Sequence, residues 1–153
     1  MRILGLVLAS LPLVACAPGA ATTAPDSSAT DALTSSTAVY DSYEEVMQLA
    51  LDAGLECNHA VIVATAIAFA ESSGNIHARN HNPNGTWDYG LWQINSVHGM
   101  TRSYLFDASN NADAMVEISS AGTNFHPWST YGSGAYKKHM SGAQAAYANV
   151  CGS

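Results

Sequence analysis

Two carboxylates stand where chemistry could be done in a chain that is only 11% charged: Glu71, which closes the apolar run Ala60–Ala70, and Asp88, inside "NHNPNGTWDYGLWQIN" (80–95). Apolar neighbours disfavour the charged form of Glu71, and the negative end of a helix dipole pushes the same way, so its pKa is expected to rise. A carboxylic acid that keeps its proton near neutral pH can donate it to a leaving oxygen. Asp88 lies beside Tyr89 and Gly90 in surroundings polar enough to keep it charged. Two carboxyl groups whose environments pull their titrations apart are the pair that glycosidic cleavage uses. Each has a plainer alternative alone: Glu71 fraying into solvent at Ser72-Ser73-Gly74, and Asp88 as a turn residue bonded to its own backbone.

The elements that must hold these groups are readable in outline. In "DSYEEVMQLALDAGLECN" (41–58), Ser42 and Glu45 have the spacing of a capping box, and Val46, Leu49, Ala50 and Ala53 recur at helical intervals before Gly54. Asn58 is the expected cap of a second helix whose run to Ala70 has no polar face except Thr65. A helix apolar all round must be buried, and this one is too short for a membrane. The Asn-Pro-Asn-Gly turn signal then predicts a β-hairpin with Asp88 in its second arm, where Tyr89, Leu91, Trp92 and Ile94 read first as packing residues. Downstream, Leu105 to Asp107 lead into a helix expected to be capped near Asn110, with Ala112, Met115 and Val116 buried and Gly122 beyond its end.

At 153 residues and 48% hydrophobic, the chain holds one domain with an ordinary core. Its net charge of -7 repels phosphate backbones, which argues against nucleic acid as a partner. His77 and His81 are four apart, but they lie between a Ser-Ser-Gly break and a Pro-containing turn, so no metal site is expected, and no cofactor is implied.

Residues 1–16 read as an export signal: Arg2 precedes an apolar run from Ile3 to Ala15 that cannot span a bilayer. Its end, Leu13-Val14-Ala15-Cys16, resembles the lipobox of bacterial lipoproteins, which implies cleavage before Cys16 and a lipid on its sulfur; a plain secretory signal is the alternative. Residues 17–38, nearly all Ala, Thr, Ser, Pro, Gly and Asp, read as a flexible spacer, leaving 39–153 as the folded domain. The chain is therefore expected outside the cytoplasm, tethered through Cys16 at the outer side of a bacterial membrane or else secreted. If Cys16 is lipidated, Cys57 and Cys151 remain, and an even remainder in an oxidising compartment predicts a disulfide. The rival is a nucleophilic Cys57 paired with His59, but neighbours two apart on a helix point away from each other.

Glu71-Ser72, Asp88-Tyr89-Gly90-Leu91 and Gln93-Ile94-Asn95-Ser96 resemble the lysozyme superfamily, both animal-type lysozymes and bacterial lytic transglycosylases of the SLT type. The 17 positions between Glu71 and Asp88 match those between the catalytic pair of the animal-type enzymes. The resemblance spans residues 42 to 150 and implies an α+β, mainly helical, two-lobed domain with a small β-hairpin lobe and a substrate cleft. It implies cleavage of the β-1,4 bond between N-acetylmuramic acid and N-acetylglucosamine in peptidoglycan by a monomer. Glu71 would be the acid and then the base, and Asp88 the stabiliser or nucleophile. Gln93 and Asn95 would bind sugar polar groups, and Trp128 and Tyr131 would offer cleft aromatics. Trp128 could equally be a core residue, and Gln93 could satisfy buried backbone. The chain is acidic with at most one disulfide, whereas animal-type lysozymes are basic and carry several, so a bacterial relative is the better comparison. Hydrolysis and transglycosylation both stay open, as does a non-catalytic wall anchor.

Overall fold

Ser42 opens the first helix as its spacing to Glu45 predicts. Its hydroxyl accepts the Glu45 N–H at 3.2 Å while the Glu45 carboxylate accepts the Ser42 N–H at 2.7 Å, pairing two donors that a helix start otherwise leaves free. The structure, a computed structural model, describes residues 41–152; the expected signal segment with Cys16 and the spacer 17–38 lie outside the described residues. The order is α1 (Tyr43–Asp52), α2 (His59–Ser72), β1 (Arg79–His81), β2 (Trp87–Tyr89), β3 (Ile94–Asn95), α3 (Arg102–Leu105), α4 (Ala108–Ile118), α5 (Ser129–Gly132) and α6 (Met140–Val150). Short 3₁₀ turns cover Ser96–His98 and Ala135–His139. The domain is the mainly helical α+β architecture, with a small sheet beside a helical body.

Helix α2 is the axis. Asn58 caps it, its side chain accepting the Ala60 N–H at 2.7 Å. Val61 and every residue from Val63 to Ala68 are buried, because α1, α5, α6 and the Ala135–His139 turn pack around it. The lone polar residue in the run, Thr65, is satisfied within the helix by donating to the Val61 carbonyl at 2.8 Å. Trp92 joins this axis to the rest. Its fully buried indole N–H donates to the Ala64 carbonyl at 2.9 Å, and its own carbonyl accepts the Trp128 indole N–H at 2.7 Å. Two large aromatics thus bury their apolar area with both polar edges paired.

Three details differ from the sequence expectations. The hairpin gains a third strand, giving an antiparallel β1-β2-β3 sheet; β3 is only two residues long, too short for a period-2 pattern to register. Helix α4 is capped by Asp107, which accepts the Asn110 N–H at 3.0 Å, so Asn110 lies inside the first turn rather than at the cap. Its buried side includes Asn111 and Ala114 with Ala112 and Met115, while Val116 is only half-buried. The two histidines flank and end strand β1, where His77 packs on Phe106 and His81 on Trp87.

Cys57 and Cys151 form the disulfide that cysteine parity predicted. Their Cα atoms are 5.7 Å apart across a sequence separation of 94, tying the turn before α2 to the end of α6. Closing so long a loop restricts the unfolded chain by on the order of 4 kcal/mol in the chain-entropy account. A Cys57→Ser, Cys151→Ser double variant is expected to lose stability of that order in urea denaturation, and an unchanged midpoint would contradict the assignment of the bond as a major constraint.

Candidate functional site

Strand register sets one side of the site. Asn80 pairs with Asp88 and Asp88 with Asn95, so these three side chains form a row across the sheet. Asp88 is the acceptor at its centre. Asn95 donates to Asp88 Oδ1 at 2.6 Å, and Asn82 and Asn80 donate to Oδ2 at 2.8 and 3.4 Å. Thr86 locks the arrangement: its Oγ1 accepts from both Asn82 and Asn95 and donates to Asn84. The polar turn therefore works as a clamp on one carboxylate, whose rotamer is fixed by three amides.

The strand ends in a tight passage. Gly90 has φ 78, and a Cβ there would collide with the Asn111 side chain and the Leu105 carbonyl, so no other residue fits. Gln93 follows at φ 47, a left-handed conformation that is strained for a side-chain residue. It is held there because its amide N–H₂ donates to the Gly90 and Ala78 carbonyls at 2.9 and 3.1 Å.

Helix α2 supplies the other side. Ser73 adopts the left-handed conformation just after Ser72, so Glu71 sits in the last turn with its carboxyl half-buried. Burial pushes the Glu71 carboxyl above the ordinary glutamate range. The Thr130 hydroxyl, donating to Glu71 Oε1 at 2.6 Å, pulls partway back; the Asp88 charge pushes up again, and the Thr130 backbone amide lowers. The net direction is upward, as the apolar context of the sequence predicts.

Glu71 and Asp88 line the same groove, with Gln93, Asn95 and Trp128 among its walls, and its volume is about 160 Å³. His98, Ile118, Pro127 and Ser129 complete it. A carboxyl whose protonated form is favoured by burial, lining the same groove as a fixed carboxylate, can protonate a leaving oxygen while that carboxylate stabilises a developing cation. Here sequence and geometry meet the known families. The profile of the lysozyme-like domain matches residues 47–130. The chain belongs to the lysozyme-like domain family. Such domains act in general on the glycan of peptidoglycan, so a wall-directed glycosidase site is the coarse reading for this lysozyme-like domain. No curated protein matches the sequence.

Within the lysozyme-like domain, the expected site residues divide. Glu71, Asp88, Gln93, Asn95 and Trp128 come together at one groove. Asn95 lines it, yet its side-chain N–H₂ is engaged by Asp88 and Thr86 and its carbonyl oxygen by the Val97 N–H, so its first effect is to position Asp88. Trp128 is 5% exposed and anchored by its bond to the Trp92 carbonyl, so it lines the groove as a largely buried residue. Tyr131 lies instead in a second depression with Phe125 and Tyr136. Asn80 and Asn82 were missed although they stand in the quoted stretch; placing the turn at residues 82–86 pairs β1 with β2 and puts both beside Asp88.

Thr130 had no sequence signal, because its bond to Glu71 spans 59 positions. Removing its hydroxyl deletes a donor that favours the charged carboxyl. Thr130→Val is therefore expected to move the Glu71 titration further up, measured by carboxyl NMR, and to lower activity about threefold to tenfold through loss of one hydrogen bond. Thr130→Ser should restore both. An unmoved titration in the valine variant would remove Thr130 from the site.

Proposed function

We propose that this protein cleaves the β-1,4 bond between N-acetylmuramic acid and N-acetylglucosamine in peptidoglycan, as a lytic transglycosylase or a lysozyme-like muramidase, with Glu71 as general acid and then base. The observation that carries this reading is the pairing of a carboxyl raised by burial with the clamped Asp88 along one groove. The Thr130 hydroxyl donates to Glu71 Oε1, which orients the carboxyl that would carry the proton toward the glycosidic oxygen. As the bond breaks, positive charge develops at the sugar C1 and ring oxygen, and the fixed negative charge of Asp88 lowers the cost of that charge. Glu71, now ionised, takes a proton from the incoming nucleophile: water in a muramidase, the muramic acid 6-hydroxyl in a transglycosylase. Gln93 and Trp128, which line the groove, would contact the bound sugars.

The decisive measurement is mass spectrometry of digested peptidoglycan: 1,6-anhydromuramic ends identify transglycosylation and hydrated reducing ends identify hydrolysis. Asp88→Asn keeps an acceptor oxygen in the clamp but loses the charge, and is expected to lower turnover less than loss of the acid at Glu71, by roughly ten- to a hundredfold for a term that is electrostatic alone. A loss equal to that of the Glu71 variant would favour an obligatory covalent role for Asp88. We propose also that the chain is exported and tethered by a lipid on Cys16, with 17–38 as the spacer; the apolar run Ile3–Ala15 and the Leu13-Val14-Ala15-Cys16 string support this. Membrane fractionation of the intact chain against a Cys16→Ser variant tests it, and equal partition of the two would refute it.

A further inference from the structure

Strand alternation that turns Asp88 toward the groove turns its neighbours Trp87 and Tyr89 the other way. Their rings lie parallel, with centroids 6.3 Å apart. The contacts run on from both ends without a break. The Arg79 guanidinium lies over Trp87 at 5.9 Å, and His81 packs on the same indole at 4.5 Å. At the other end Tyr89 meets Phe106 edge-on at 5.6 Å, and the Arg102 guanidinium lies over Phe106 at 5.0 Å. Arg79 and Arg102 are exposed, while the three rings beneath are half-buried. The result is an aromatic rail with a cation at each end, on the face of the sheet away from the groove.

The charge of the rail is unusual in this molecule. The chain has five Lys and Arg against twelve Asp and Glu, and two of those five cations stand on this one strip. A guanidinium near a ring face gains cation–π attraction while its planar fork stays able to form a bidentate bond to a carboxylate. Two such forks separated by apolar rings match a chain that carries carboxylates at intervals along less polar units.

We propose that this rail is a second wall-contact surface, which binds the carboxylates of peptidoglycan stem peptides and holds the domain on its polymer independently of the groove. The inference rests on the wall-directed reading of the domain. It accounts for how a protein of net charge -7 stays on an anionic polymer: attraction is local and faces away from the cut. Because strand alternation separates the two faces, a stem held on the rail leaves Glu71 and Asp88 free.

The test is co-sedimentation of the full chain with insoluble peptidoglycan sacculi, using Glu71→Gln as the parent so that cleavage does not interfere. Arg79→Gln with Arg102→Gln is expected to weaken retention at least roughly tenfold, for the loss of two charge-assisted contacts. Lys137→Gln with Lys138→Gln removes the same charge elsewhere and should have little effect. Soluble stem peptides should displace the parent from sacculi, and should not lower the residual retention of the arginine variant. Cleavage of short, stem-free oligosaccharides by the arginine variant of the active chain should be unchanged. Unaltered retention in the arginine variant, an equal loss in the lysine control, or a parent that soluble stem peptides do not displace would each overturn the proposal. So would a shift in elution volume showing that the arginines join two copies of the chain. Retention is read without turnover: an active-chain preparation that cuts nothing would refute the glycosidase reading while arginine-dependent retention still supported the rail.

Discussion

Replacing Glu71 with glutamine is expected to lower turnover of peptidoglycan by roughly 10³-fold, the scale of a lost general acid, while leaving fold and glycan binding in place. Glutamine keeps an oxygen that can accept the Thr130 hydroxyl, now held by Glu71 Oε1 at 2.6 Å, so the side chain retains its anchor and loses only the proton. Stability should respond in a defined direction. Burial raises the Glu71 pKa in the folded chain, so the folded state holds its proton more tightly than the unfolded state. The stabilisation from this group is complete below the unfolded glutamate range and is lost as pH rises to the raised folded value. Thermal melts of the parent and the glutamine variant should therefore converge in acid, and the variant should melt higher above that window. Calorimetry across pH tests the second claim, and a muropeptide assay the first. Full turnover in the variant would overturn Glu71 as the general acid, whereas no turnover in the parent would leave a wall-binding module without chemistry as the better account.

What the sequence made legible followed from local rules. The capping box at Ser42 and Glu45, the Asn58 cap and the all-round apolar character of α2 depend on residues within one or two turns, and each is present. The raised pKa of Glu71 was legible for the same reason: the run that buries it is contiguous with it. The Cys57–Cys151 pairing was legible from parity once Cys16 is set aside. Contacts across long sequence separations were not. Thr130 reaches Glu71 because α5 packs against α2, and nothing local to Thr130 marks it. Tyr131, its neighbour, lines a different depression because successive residues of a helical turn face about 100° apart, so the turn that aims Thr130 at Glu71 aims Tyr131 elsewhere. Asn95 was legible as a candidate that the structure places on the groove, but its engagement with Asp88 needed the third strand, which is only two residues long.

Asn111→Ala is expected to be the most destabilising single change near the site, at about 3–5 kcal/mol, because it leaves three buried backbone groups without partners. Asn111 is 0% exposed. Its carbonyl oxygen accepts the Trp92 N–H at 2.9 Å, and its N–H₂ donates to the Tyr89 and Leu105 carbonyls, each at 2.9 Å. One acceptor and two donors are matched to one donor and two acceptors, a pattern that neither aspartate nor leucine can reproduce. The same bonds fasten α4 to the backbone on both sides of Gly90, whose lack of a side chain is what admits the amide. Asp88 lies one residue before this fastening and Gln93 one residue after it, so loosening it should also disorder the clamp and the strained glutamine. Two readouts follow. The urea midpoint should fall with little change in slope, and at temperatures where the variant stays folded its turnover should drop further than its retention on sacculi. A loss below about 1 kcal/mol would mean that water replaces the amide, and the groove would then be held by the sheet rather than by α4.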